Sequence, residues 1–204
     1  MSSRDFNRLK SNIQQLKQEF LSFPARTDGG YTKSERMKCR AFIAFCHAEF
    51  EYYLEESATR ILDRAERAWA SKKRAGKALA ALLVYRLSKD VSLPDDPRTQ
   101  NSDNRLETQV RKAITVQRAV IRGNNGIRAK NISELFTPLG LQYDDLDEPL
   151  IIQLNNLSRR RGDLVHASAQ VSLPRLRDPF TDEWQDVNFL LTEIESFDRL
   201  AKDL

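Results

Sequence analysis

Apolar residues recur at three- and four-residue steps along most of the chain, which is the spacing of amphipathic helices. Leu9, Ile13 and Leu16 follow this spacing and predict a first helix over about 3–22. The same spacing predicts six further helical segments: about 33–70, a segment through Leu79 to Leu87, about 104–122, a short segment from Asn131 to Pro138 or Gly140, about 148–169 and about 182–203. No segment alternates as a strand would, and no longer repeat is visible. We therefore expect a single all-α domain over 1–204, built as a helical bundle.

Capping and turn residues set the predicted boundaries. Thr32 followed by Glu35 predicts a capping box at the start of the long second helix. Asn131, followed by Glu134, is predicted to cap the start of the short helix. The polar, proline-containing stretch 91–104 is predicted to be an exposed loop.

Composition indicates a folded protein that does not enter a membrane. The chain has 204 residues, of which 40% are hydrophobic and 30% charged. Its longest apolar run, from Ala78 to Tyr85, is far shorter than the ~20 residues that a membrane span needs. Cys39 and Cys46 are too far apart on one predicted helix for a disulfide, so we expect free thiols in a reducing cytoplasm.

Several kinds of chemistry lack their sequence signals here. The two histidines, His47 and His166, and two cysteines are unlike the ligand sets of standard zinc clusters. Glycine-rich nucleotide loops and the G-x-S-x-G elbow of serine hydrolases are missing. We therefore expect no metal and no cofactor.

Charge is distributed unevenly along the chain, although the net charge is only +4. Residues 58–77 carry seven basic and two acidic side chains, and residues 105–130 carry seven basic and one acidic. Residues 178–203, in contrast, carry eight acidic and two basic side chains. Two interpretations remain open: ordinary solvated helix faces, or a basic surface that binds phosphate with an acidic helix elsewhere.

One segment, SRRRGDLVHA, combines residues suited to RNA chemistry. Arg161 and His166 in it match the R-x(4–6)-H signature of HEPN domains. Together with RAFIAFCHAEFEYYLEE upstream and NNGIRAKNISELFTPLGL in the middle, the segment resembles the RiboL-PSP-HEPN branch of that superfamily. The similarity covers most of 36–170, so we place the core of a HEPN-like antiparallel bundle at about 33–170, with extra helices outside it. Gly162 stands where the family often has asparagine or another polar residue.

The resemblance implies a metal-independent endoribonuclease that acts as a homodimer, with two copies of Arg161 and His166 facing one cleft. It also suggests a toxin or an antiviral-defence protein, controlled by an antitoxin or another regulatory protein. Histidine can transfer protons near neutral pH, and arginine can bind phosphate oxygens with both arms of its guanidinium. The alternative is a non-catalytic HEPN-like module that dimerises or binds RNA or protein. A third possibility is that the acidic helix at 182–203 is a docking surface that keeps the nuclease inactive in a larger assembly.

Neighbouring residues are assigned supporting roles. On a regular helix, positions 161 and 166 lie about 140° apart, so they share a face only if the helix bends near Gly162 or if they act across a dimer. Asp163 either orients the ring of His166 or is an ordinary solvated acid. Arg159 and Arg160 either bind RNA phosphates or are solvated charges flanking the site.

Glu49 is the predicted partner of Arg161 on the opposite helix. It interrupts an apolar stripe where an unpaired carboxylate would be costly to bury. The alternative is that Glu49 lies at the edge of the stripe and reaches water. His47 lies about 160° from Glu49 around the same helix, so we expect it to be exposed or structural.

Overall fold

A computed structural model describes residues 2–86, 105–166 and 177–204, without the side chains of residues 143, 165 and 166. These residues form seven α-helices and no β-strand. The helices are α1 (Arg4–Phe20), α2 (Lys33–Lys72), α3 (Lys77–Arg86), α4 (Leu106–Arg122), α5 (Ala129–Phe136), α6 (Glu148–His166) and α7 (Gln185–Lys202). Short 3-10 turns follow α5 and precede α6, and a π-helical turn, Pro179–Trp184, leads into α7. The predicted all-α fold is confirmed.

The long helix α2 lies at the centre of the bundle. Helix α1 runs antiparallel to it, because Phe6 packs against Tyr53 near one end and Phe20 stacks on Phe45 near the other. Helix α7 runs parallel to α2, with Tyr53 donating a hydrogen bond to Asp198 at 3.0 Å and Phe42 packing on Trp184. Buried side chains therefore occur around much of the circumference of α2.

Helices α4 and α6 pack against α2 in the antiparallel sense. Arg118 of α4 binds Asp63 and Glu66 of α2, with N–O distances of 2.8 and 2.6 Å. Arg40, near the start of α2, donates to the carbonyl of Leu164, near the end of α6. This arrangement places the C-terminal end of α6 beside the N-terminal half of α2.

The hydrophobic core is continuous through the described helices and extends beyond the predicted 33–170 segment. Leu9 and Ile13 of α1 and Leu190 and Ile194 of α7 are buried in the same cluster as the apolar side chains of α2. Ser3, the N-cap of α1, donates to Asp198 of α7 through its backbone N–H at 2.7 Å. Both ends of the chain are thus part of one packed unit.

Helix boundaries largely follow the predictions. The capping box of Thr32 and Glu35 is present at the start of α2. Helix α5 begins three residues earlier than predicted, because its N-cap is Arg128 and Asn131 is its third residue, whose Oδ1 accepts the N–H of Arg128 at 3.0 Å. The loop predicted at 91–104 lies outside the described residues, as do the last predicted residues of the helix at 148–169.

Both cysteines, Cys39 and Cys46, are free, as predicted, and both are buried. In the ranges that the structure covers, no helix combines the length and the apolar character needed to cross a bilayer.

Candidate functional site

The R-x4-H motif occupies the C-terminal end of α6. This helix remains α-helical through Gly162, so positions 161 and 166 lie about 140° apart around its axis. The Arg161 side chain is half-buried, whereas His166 is the last described residue of the helix and its side chain lies outside the description. A Cβ atom added at Gly162 would meet nothing within 4 Å, so packing does not require a glycine there.

His47 of α2 faces the motif helix. Its side chain is buried, 4% of the residue being exposed, and its Nδ1 lies 3.7 Å from Oε2 of Glu51. Burial lowers the pKa of His47 to about 4, and the positive charges of Arg161 and Arg128 contribute to this lowering. His47 is therefore neutral at pH 7, and it lies close enough to both guanidinium groups for their charges to affect its pKa.

A loop between α4 and α5 is held against α2 beside this histidine. Glu51 accepts the backbone N–H of Gly126, and Glu55 accepts a hydrogen bond from Asn124 Nδ2 at 2.8 Å. Gly126 has a φ of +128°, and a Cβ atom there would lie 3.2 Å from Oδ1 of Asn131. Only glycine fits this turn comfortably, and the turn directs the next residues toward α6.

Arg128, at the end of this loop, reaches the face of α6 that carries Arg161. Its Nε donates to Oγ of Ser158 at 3.2 Å, and the N–H of Ala129 donates to Oδ1 of Asn155 at 3.1 Å. Arg161 follows Ser158 by three residues, and side chains at this spacing are neighbours on a helix. Arg128 and Arg161 therefore lie on the same side of α6.

Among the described residues, neither of these two arginines has an acidic partner. Across 2–86, 105–166 and 177–204, no carboxylate lies within ion-pair distance of the Arg128 or Arg161 guanidinium. Arg128 is exposed and Arg161 is half-buried, so both charges are open to an anion from solution. The arrangement is suited to binding phosphate oxygens.

Glu49 does not form the expected ion pair with Arg161. Its Oε2 accepts a hydrogen bond from Nδ2 of Asn12, on α1, at 2.8 Å. The expected separation of residues 47 and 49 around α2 was correct, but the assignment of their faces has to be corrected. Because α1 packs on the side of Glu49 and α6 on the side of His47, the histidine rather than the glutamate faces Arg161.

The other predicted residues on α6 have separate surroundings. Arg160 lies 3.2 Å from Glu183 and 2.5 Å from Asp186, and its side chain is only 12% exposed. These carboxylates occupy the guanidinium of Arg160, so both interpretations offered for it, a phosphate-binding residue and a solvated charge, have to be corrected. Arg159 is exposed and donates weakly to Asn156 at 3.4 Å. Asp163 is exposed, and the described part of the chain contains no ion pair to it.

Comparison with protein families assigns the fold to a family. The sequence model of the RiboL-PSP-HEPN family matches residues 4–201, which is nearly the whole chain. The chain belongs to the RiboL-PSP-HEPN family. No curated protein and no solved structure is significantly similar to it.

Membership in this HEPN family has general consequences. HEPN domains often dimerise and bind RNA, and the family assignment points to a ribonuclease or nucleotide-related role. The match also includes α1 and most of α7, which agrees with the continuous core. Within the described ranges, no group of three or more histidine, cysteine or acidic side chains is placed to hold a metal ion.

Sequence reasoning missed two residues of this site, His47 and Arg128. Arg128 lies within the NNGIRAKNISELFTPLGL segment on which the family resemblance partly rests, but 33 positions separate it from Arg161 in the chain. No spacing rule connects residues so far apart. The unusual run of asparagines and glycines before Arg128 was the available signal, because it indicates a specified turn.

Proposed function

We propose that this HEPN protein is a metal-independent endoribonuclease that cleaves single-stranded RNA, and that it serves as a toxin or an antiviral-defence enzyme. The observation that carries the proposal is the position of Arg161. It lies on the motif helix five residues before His166, and no described carboxylate neutralises its charge. A cation in this position is available to bind the phosphate at the reacting centre.

The proposed reaction uses the RNA's own 2′-hydroxyl as the nucleophile. Its oxygen bonds to the adjacent phosphorus while a base accepts its proton, and the bond from phosphorus to the 5′-oxygen breaks as an acid protonates that oxygen. The products are a 2′,3′-cyclic phosphate and a 5′-hydroxyl. His166 is assigned the proton transfers, and Arg161 stabilises the negative charge that builds on the phosphate oxygens.

A homodimer supplies the two proton-transfer groups that the reaction needs. Each chain has only one motif histidine, and His47 is buried and neutral. Positions 161 and 166 face different directions on a continuous helix. This favours a shared cleft in which Arg161 of one chain acts with His166 of the other. Asp163 stays a candidate for orienting His166, and Arg159 for binding a phosphate at the rim.

Cleavage of labelled single-stranded RNA in excess EDTA tests the proposal. We expect wild-type protein to cut the RNA and to leave 2′,3′-cyclic phosphate ends. His166→Ala and Arg161→Ala should each lower the rate at least about a hundredfold, as loss of a proton-transfer or charge-stabilising group does. Arg199→Ala is a matched control, because Arg199 is an exposed arginine on α7 that bonds only to Ser196 in the described structure.

Two results would contradict the enzyme assignment. Equal, negligible cleavage by wild type and both variants would favour a non-catalytic module that dimerises or binds RNA or protein. Cleavage that requires an added metal ion would show that the proposed chemistry is wrong.

A further inference from the structure

We infer that Arg128 is a second phosphate-binding residue, which holds an RNA phosphate next to the one bound by Arg161. The inference rests on the proposed function, which it deepens by adding a contact from a different helix and loop. It assigns Arg128 to binding and positioning of the RNA, and not to proton transfer.

The placement of Arg128 on α6 carries the inference. Its Nε bonds to Oγ of Ser158, a residue that is itself 8% exposed, so one edge of the guanidinium lies against α6. The backbone N–H of Arg128 is held by Asn131, and the next N–H is held by Asn155. The backbone and one edge of the guanidinium are thus held, while within the described part of the chain its two terminal nitrogens have no hydrogen-bond partner and the residue is exposed.

The spacing to Arg161 indicates one shared ligand. Side chains three residues apart on a helix have Cβ atoms about 5–6 Å from each other, and Ser158 and Arg161 have this spacing. Along one strand of duplex DNA the phosphate charges repeat about every 3.4 Å of helix axis, so neighbouring phosphates of a strand lie at distances of the same order. A strand that places one phosphate on Arg161 can therefore place a neighbouring one on Arg128.

Two other arginines, Arg118 and Arg160, differ from Arg128 because each forms ion pairs with two carboxylates. Arg118 is bound by Asp63 and Glu66, and Arg160 is bound by Glu183 and Asp186. Arg128 instead bonds to a neutral hydroxyl, which fixes its direction and leaves its full charge in place. The effect of this charge is felt at His47, where Arg128 and Arg161 act together.

Binding of an uncleavable strand tests the inference separately from catalysis. The probe is a fluorescein-labelled single-stranded RNA with 2′-O-methyl groups, which lack the nucleophile. Its dissociation constant is measured by fluorescence anisotropy over a range of salt concentrations. Arg128→Ala should weaken binding about five- to thirtyfold and lower the slope of log K against log salt by about 0.7, the value for one phosphate contact on a single strand.

Two further variants separate charge from position. Ser158→Ala keeps both charges and should leave the salt slope unchanged while it weakens binding by a smaller factor. Arg199→Ala, which alters an exposed arginine on a different helix, should leave both affinity and slope unchanged. Thermal unfolding of each variant checks that the fold is intact.

The outcomes distinguish this inference from the proposed function. If Arg161→Ala weakens binding and Arg128→Ala does not, the role of Arg128 is refuted and the ribonuclease proposal is untouched. If wild type binds the probe with an Arg128-dependent slope but cuts no RNA, the ribonuclease proposal fails and the phosphate contact stands. Failure of wild type to bind the probe at low salt refutes the inference.

Discussion

At the scale of single residues, the surroundings of a side chain matter more than its type. His47 is buried beside α6, and its pKa is lowered from that of an ordinary histidine to about 4. Burial is the largest cause, because it disfavours the charged imidazolium, and the charges of Arg161 and Arg128 act in the same direction. The pKa of His47 is therefore sensitive to the two arginines that we assign to RNA binding.

Removing either positive charge should raise the pKa of His47. We expect a larger rise for Arg161→Gln than for Arg128→Gln, because Arg161 has the larger effect on this group. Titration of the imidazole signals by NMR measures the pKa, and a chain with two histidines gives a spectrum that is simple to assign with His166→Ala. An unchanged pKa in both variants would mean that the two guanidinium groups are not near His47.

At the scale of elements, an ion-pair cluster joins the motif helix to the C-terminal part of the chain. Arg160 of α6 binds Glu183 of the π-helical turn and Asp186 of α7, and Arg177 also binds Asp186 at 2.7 Å. Burial raises the pKa of Glu183, while Arg160 opposes the rise. Arg160 therefore joins α6 to the C-terminal part of the chain at the position next to Arg161. Two acidic residues of that part, Glu183 and Asp186, stabilise the packing of α6 through these ion pairs.

Loss of Arg160 should destabilise the protein strongly. Arg160→Ala leaves the carboxylate of Glu183, a residue 2% exposed, without its nearest cation. Breaking a buried pair in this way costs about 3–5 kcal/mol of unfolding free energy. Urea unfolding measures the change, and Glu183→Gln in the same background should recover part of it because the unpaired charge is removed.

The neighbouring arginine provides the control for this measurement. Arg159 is exposed and has a single weak hydrogen bond, so Arg159→Ala should change the unfolding free energy by no more than about 0.5 kcal/mol. Equal effects of the two substitutions would contradict the structural role of Arg160.

At the scale of the whole molecule, α2 organises the bundle and places the candidate site. One side of it binds α1 through Glu49, and another faces α6 and the α4–α5 loop through His47 and Glu51. The candidate site is therefore built by three parts of the chain that are distant in sequence. One copy of this site contains one motif histidine, which is why the proposed reaction needs two chains.

The protein should sediment as a dimer, at twice the chain mass of 23.5 kDa. Analytical ultracentrifugation over a range of concentrations measures this mass directly. RNA cleavage per chain should fall on dilution in step with dissociation of the dimer, because each isolated chain lacks the second histidine. A monomer that cleaves RNA at full rate would contradict the shared cleft.

Sequence patterns were sufficient for the helices and the family. Helical spacing fixed the order of the elements, and the Thr32 capping box was located correctly because such signals are local and depend on residues a few positions apart. Helical spacing likewise placed Arg161 and His166 on one helix. The start of α5 was predicted three residues late, since Asn131 is able to cap a helix but lies inside this one.

Only the tertiary structure decided which side chains meet. Glu49 and His47 lie on opposite sides of α2, and the sequence could show their separation but not which neighbouring helix covers each side. For the same reason, the sequence could not predict the ion pair between Arg160 and Glu183 or the hydrogen bond from Arg128 to Ser158. Local periodicity is determined by the chain's own geometry, whereas contacts between helices depend on how their buried faces pack, and that information is spread over the whole sequence.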